Sequence, residues 1–401
     1  MFSKKSLIIF KFIHIVSFLV GLAPYSIKIL PRSSKQSGFN FRITYSGLGC
    51  AYNILLIFIF TGVTLIITPY LIEWQHFDRS VFMMIVVAVT TLGNIFSTIV
   101  IFYYTLHQQQ SVAIGSQLSE FDEKFRSKFC NLLKNGSTNR LANVESWLTI
   151  FLYLFLWCGV ITTSIGIQQS PPSIASFFCA LILTSVLMQY SSVIDNLRRR
   201  FKNLNEVLQT VFKCPIPSLE GVLLVGNVSN NRLVHNNFTT FKQTRNKLYK
   251  ISCLIAEFYS FPILLTVFYS FCSIITTCYY FLMTIAQVER FTLDTLTLNT
   301  IFWFFLCTYP TVALSRSVRI FNKEMHKTAD VIYDVMEMYA PNGEIEYQLT
   351  NFAVEQIHKR VEFTACGIFS LDCTLLHSMF GAFVTYLLIM LQFKPKEVMQ
   401  N

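Results

Sequence analysis

The residues best placed to act on a solute lie near the end of the chain, which reads Thr385-Tyr386-Leu387-Leu388-Ile389-Met390-Leu391-Gln392-Phe393. Thr385 and Gln392 are seven positions apart, so on an α-helix they fall within about 20° of one another. Leu388 and Ile389 lie between them on that side, while Tyr386 and Phe393 fall on an adjacent face suited to packing. A hydroxyl and a carboxamide on one face of an otherwise apolar helix have two uses. They can hydrogen-bond neighbouring helices. Beside an aqueous path they can instead supply neutral oxygens around an apolar constriction, which closes by excluding water.

No other constellation competes with this one. P-loop, G-x-S-x-G, H-E-x-x-H and C-x-x-C patterns are absent and the seven histidines are scattered, so neither an enzyme nor a bound metal or cofactor is expected. Transporters and pumps place charged side chains within their spans as relays or counter-ions. Here the apolar stretches are uncharged through their middles, and Glu257, Glu289 and Asp372 stand near stretch ends. A receptor or channel using neutral polar groups fits this pattern.

The elements that must position these residues are set by composition. Hydrophobic residues make up 53% of the chain and charged ones 13%, against about 25% charged in an ordinary soluble domain. Such an excess belongs in a bilayer, whose core of about 30 Å asks for about 20 consecutive apolar residues per helix. Seven stretches qualify, at 46–69, 81–106, 147–167, 173–194, 254–288, 296–315 and 373–393. An eighth, 6–30, is interrupted by Lys11 and His14 and broken by Pro24 and Pro31, and is expected to lie in the interface rather than to span. The predicted fold is an all-α membrane protein of seven transmembrane helices with an additional N-terminal interfacial helix.

Charge orients the bundle. The connections 70–80, 168–172 and 289–295 and the tail 394–401 carry only Arg79, Arg290, Lys394 and Lys396 of the 32 Lys and Arg residues. The positive-inside rule then predicts a cytoplasmic N-terminus and an external C-terminus. The same bias accounts for the net charge of +10 without a nucleic-acid partner. Residues 1–45 form a cytoplasmic segment with the interfacial helix, and 46–194 hold spans one to four. A cytoplasmic helical extension and loop occupies 195–253, with the loop at 214–237. Spans five and six lie in 254–315, cytoplasmic helices in 316–372 (316–340 and about 348–371), the last span in 373–393 and an external tail in 394–401. The 11 cysteines all fall in spans or cytoplasmic segments, so no disulfide framework is implied. The sequons at Asn135, Asn227 and Asn237 are expected to stay unmodified.

The T-Y, five apolar residues, Q-F pattern of 385–393 resembles the signature of insect gustatory receptors at every position. Phe363-Thr364-Ala365-Cys366-Gly367-Ile368-Phe369-Ser370-Leu371-Asp372 is similar to that family's approach to its last helix, as is the Gly21-Leu22-Ala23-Pro24 turn to its N-terminal region. The resemblance implies an inverted seven-helix topology and a homo- or heterotetramer with other gustatory receptor subunits. It also implies a central pore lined by the outer part of the final helix. Four copies would set a ring of Gln392 amides and a ring of Thr385 hydroxyls about an apolar constriction at Leu388 and Ile389, a path for weakly selective cation conduction. The family's ligand pocket, in the outer half of the bundle, points to Trp157, Thr162, Phe178, Tyr280, Thr284, Gln287 and Trp303 as its lining. Aromatic walls with a few hydroxyl and amide groups suit a small tastant, a bitter or deterrent compound ahead of a sugar. The same aromatic residues also suit a membrane interface. Membrane lipid is the remaining expected partner, and the plasma membrane of a sensory dendrite the expected site. A G-protein-coupled receptor or a small-molecule transporter would share the span count, but no D-R-Y follows the third span and no N-P-x-x-Y ends the seventh.

Overall fold

A computed structural model describes residues 14–31, 39–77, 81–129, 138–165, 171–213, 226–287, 294–338 and 343–392. In chain order the helices are α1 (Gly47–Phe77), α2 (Val81–Leu106), α3 (Gln108–Phe129), α4 (Thr138–Ile165), α5 (Pro171–Lys213), α6 (Gly226–Gln287), α7 (Thr295–Met338), α8 (Gly343–His358) and α9 (Cys373–Gln392). Two small antiparallel hairpins complete the fold, β1 (Tyr25–Pro31) with β2 (Phe39–Tyr45), and β3 (Thr364–Ala365) with β4 (Phe369–Ser370). Among the described residues six helices (α1, α2, α4, α5, α6 and α7) are long and apolar enough to cross a membrane, and α9 adds a shorter apolar run, Cys373–Ile389. The outward faces agree with lipid contact, since large side chains such as Leu48, Phe58 and Ile66 of α1 are exposed.

Length decides what lies beyond the bilayer. The 62 residues of α6 extend about 90 Å at 1.5 Å per residue, three times the hydrocarbon thickness. The 43 residues of α5 and 44 of α7 also overrun it. These extensions gather at one end, termed basal here, where α3 lies against β2 and α6 and where α8 packs on α7. An aromatic column runs through this region. Phe201 of α5 meets the edge of Phe321 of α7 at 5.3 Å, Phe321 meets Phe363 at 5.0 Å, and Tyr190 stacks on Tyr259 at 4.4 Å while touching Phe363. Charged pairs close its rim. Arg200 grips Asp122 through two nitrogens at 2.8 and 2.9 Å, Lys124 and Lys247 flank Glu120 at 2.7 and 2.9 Å, and Lys242 and Lys359 flank Glu355 at 2.8 and 2.5 Å. The hydrogen bonds of Lys124 and Lys247 hold the Glu120 carboxyl down at about 2. Burial pushes Glu355 up, but its two lysines outweigh that and leave it below the ordinary carboxylate value.

Several boundaries differ from the sequence expectation for local reasons. Within 6–30 only 14–19 is helical among the described residues. Gly21 turns the chain at φ 84, Leu22 and Ala23 are buried, and 25–31 is strand. The helix expected over 316–340 is a continuation of α7. Helix α6 begins at Gly226, inside the stretch read as loop. The helix expected to run to 371 stops at His358, and the chain beyond it forms the β3–β4 turn, in which Cys366 and Gly367 adopt left-handed φ of 51 and 72, a conformation no helix contains.

Candidate functional site

Helix α9 rises from a built foot. Phe363 is buried between Phe321 and Tyr190. The β3–β4 turn is pinned to α6 by Ser260, whose Oγ donates to Thr364 O at 3.1 Å and accepts from Cys366 N at 2.6 Å. Asp372 then caps the helix, accepting from Thr374 N at 2.9 Å and from its hydroxyl at 2.5 Å, with Ser370 Oγ donating at 3.2 Å. An Asp at this position satisfies a free N–H of the first turn.

Above that foot α9 leans on α6 and α7 and leaves one face uncovered. Thr374, His377, Ser378, Gly381, Val384, Thr385, Leu388, Ile389 and Gln392 are all exposed, a run at helical spacing from base to tip. A Cβ at Gly381 would meet nothing within 4 Å. Thr385 Oγ1 donates back to Gly381 O at 3.1 Å, so its oxygen retains acceptor capacity toward the open side. Ile389 is 41% exposed on this face. Tyr386 turns toward α6, its ring 6.1 Å from Phe271 at 78°. Phe393 lies outside the described residues.

The outer aromatic residues divide into two groups. Trp157 of α4 is 5% exposed, meets Phe177 of α5 edge-on at 4.8 Å, and through Phe177 reaches Trp303 of α7 at 6.5 Å and Phe178 at 6.1 Å. Three helices therefore converge on one ring cluster, and the Trp157 Nε1 inside it is buried without a hydrogen bond among the described residues. Gly159, two residues along α4, lets the Phe302 ring lie against the backbone where a Cβ would collide. Beside it Thr163 and Ser164 donate to Asn299 Oδ1 at 2.9 and 3.2 Å. Thr162 is exposed and bonds back to Cys158 O and Gly159 O of its own helix. Tyr280 and Thr284 stand one turn apart on α6, half-buried, with Thr284 Oγ1 donating to Tyr280 O at 2.9 Å. Gln287 ends α6, and its side chain lies outside what is described.

A bundle with six helices long and apolar enough to cross a membrane among the described residues, beside a shorter apolar helix with one uncovered face, is the architecture of a multi-pass membrane protein. The chain belongs to the 7tm chemosensory receptor family, whose pattern it matches over residues 10–397. It is 34% identical over 103 residues to the gustatory and pheromone receptor 32a of Drosophila melanogaster, covering 25% of this chain and 22% of that one. It is 23% identical over 240 residues to gustatory receptor 68a of the same species, covering 59% and 57%. The matched stretches thus span between about a fifth and somewhat over half of those relatives' lengths. In fold it is similar to the insect olfactory receptor OR5 from Machilis hrabei, with a TM-score of 0.64 at 12% identity, over 96% of this chain and 98% of that one. A second structure of OR5, in complex with eugenol, is similar in the same way, with a TM-score of 0.63.

Proposed function

We propose that this chain is a gustatory receptor that works as a ligand-gated, weakly selective cation channel, assembled from four subunits with the uncovered face of α9 lining the central path. The observation that carries the reading is the exposed stripe of α9, which joins Thr385, Leu388, Ile389 and Gln392 on a face that no other described helix covers. An apolar helix in a membrane gains little by presenting a hydroxyl and a carboxamide to lipid. Around a fourfold axis the same groups become neutral rings beside an apolar gate. The ring cluster of Trp157, Phe177 and Trp303, with Asn299, Thr163 and Ser164 beside it, is the ligand end of this proposal. It offers aromatic surface and few polar groups, which favours a compact aromatic or terpenoid deterrent over a sugar. The receptor resides in the plasma membrane of a sensory cell with its basal end in the cytoplasm, where the extensions of α5, α6 and α7 hold the subunits together.

The proposal is tested by recording from cells that express this chain and lack an added G protein. Application of a panel of bitter aromatic compounds should evoke a cation current with no second-messenger delay. A response that appears only when a G protein is supplied would replace the channel reading with a G-protein-coupled one.

A further inference from the structure

One face of α7 changes character along its length. Phe305 and Val312 are exposed on it, and Arg316, Arg319 and Lys323, all exposed, follow. These five positions fall within about 60° of one another on the helix, opposite the buried Leu314, Phe321 and Met325. Counted from Thr295 at the start of α7, Arg316 comes about 32 Å along the axis at about 1.5 Å per residue. A hydrocarbon core of about 30 Å ends there. Arg319 follows by about 5 Å, within the headgroup layer. Lys323 follows Arg316 by about 11 Å, a few Å past that layer and inside the screening length of about 8 Å. Trp147 of α4 marks the same boundary. Tyr309 Oη donates to Thr149 O at 3.2 Å, which sets Thr149 beside Tyr309, and the exposed Trp147 stands two residues from it toward the base. Tryptophan is the side chain most typical of the membrane–water interface.

Lack of partners separates these three cations from others of the basal end. Arg198 is held by Glu145 and Asp195, Arg200 by Asp122, Lys247 by Glu120 and Lys242 by Glu355. Arg316, Arg319 and Lys323 make no ion pair among the described residues. Arg319 Nη1 has only a contact of 4.0 Å with Cys373 Sγ. Glu145 of α4 and Glu324 of α7 are engaged by Arg198 and Asn205, and Asp330 follows Arg316 by about 21 Å along the axis. The positive charge at the membrane edge is therefore left for an anion from outside the chain. Arg316 and Arg319, three positions apart, have Cβ atoms about 5–6 Å from one another, so that their two forks can close on one phosphate.

We propose that this face of α7 binds an anionic phospholipid of the basal leaflet, its phosphate between Arg316 and Arg319 and its acyl chains along Val312 and Phe305. Lys323 meets further charge on the headgroup. Cys373 opens α9, so the headgroup sits beside the base of that helix. The site takes from the proposed function only that the basal end faces the cytoplasm, whose leaflet carries the anionic lipids. Its binding is read without current and in either orientation, so its failure and that of the channel reading are distinct.

The test is native mass spectrometry of the detergent-solubilised full chain, titrated with phosphatidylglycerol and with phosphatidylcholine of equal chain length. The parent should retain its first phosphatidylglycerol about tenfold more strongly. Arg316→Gln/Arg319→Gln should lose that preference. Lys128→Gln/Lys327→Gln removes the same charge from exposed positions in the last turn of α3 and lower on α7, and should keep it. Arg316→Lys/Arg319→Lys, which retains the charge without the forks, should weaken the preference about threefold, and it serves alone if the glutamine pair folds poorly. Equal retention of the two lipids, an undiminished preference in the glutamine or lysine pair, an equal loss in the Lys128 and Lys327 pair, or displacement of the lipid by millimolar inorganic phosphate would each overturn the proposal.

Discussion

At the scale of single residues, the pairing of Thr385 with Gln392 was legible because helical geometry alone puts positions seven apart on one face. The stripe that continues it toward the base, through Gly381, Ser378 and Thr374, was present in the sequence at the same spacing but carries small residues that periodicity arguments pass over. Thr162 and Thr163 show the opposite limit. They are adjacent and chemically identical, and both bond back to their own helix; only the rotation of α4 decides that Thr163 also comes within reach of Asn299. Phe363 stood inside a recognisable motif, yet its place between Phe321 and Tyr190 depends on contacts to residues far along the chain. Gln392 yields the prediction proper to this scale. Gln392→Glu sets four carboxylates close together, and like charges at short range share a proton or bind a counter-ion. Recordings at matched surface level should show stronger divalent block and greater cation selectivity than the parent. Unchanged block and selectivity would remove Gln392 from the conduction path.

At the scale of elements, the spans were readable because their apolar runs are long. The short pieces were harder. The β1–β2 hairpin alternates apolar Tyr25, Ile27 and Ile29 with Ser26 and Lys28, and Phe39, Phe41, Ile43 and Tyr45 with Asn40, Arg42 and Thr44. That is a period of two, hidden where an apolar run invited a helical reading. Helix α3 likewise announces itself through Phe121, Phe125 and Phe129, all buried. Its attachment to α6 rests partly on Glu120 between Lys124 and Lys247, and this makes a pH test possible. The folded carboxyl sits at about 2 against an ordinary 4.5. Its contribution is therefore complete above the ordinary value and is lost as pH falls from 4.5 toward 2. Hydrogen exchange in α3 should accelerate across that window in the parent. In Glu120→Gln it should be faster at neutral pH and change less on acidification, with high salt reducing the difference because the pair is exposed. Matching pH profiles in the two proteins would show that this ion pair does not hold α3.

At the scale of the whole molecule, the bundle of apolar helices followed from composition and the helical extension at 195–253 was expected from the sequence, whereas the unbroken run of α7 into 316–338 could not be inferred from hydropathy, which falls away at the membrane edge while the helix does not. Orientation follows from charge alone. By sequence, all but four of the 32 Lys and Arg fall outside the short connections and the C-terminal tail, so tags at the two termini should be distinguishable in unpermeabilised cells, the C-terminal tag stained and the N-terminal tag hidden. Staining of the N-terminal tag alone would invert the molecule. The central claim, that the uncovered face of α9 lines the conduction path, makes one position decisive. Ile389 stands exposed between Thr385 and Gln392, and an apolar ring excludes water only while it stays apolar. The measurement is the resting current of Ile389→Ser beside Ile389→Leu and the parent, at equal surface level and without ligand. A raised leak in the Ser variant, with the Leu variant close to the parent, is the expected result, and three indistinguishable resting currents would contradict it.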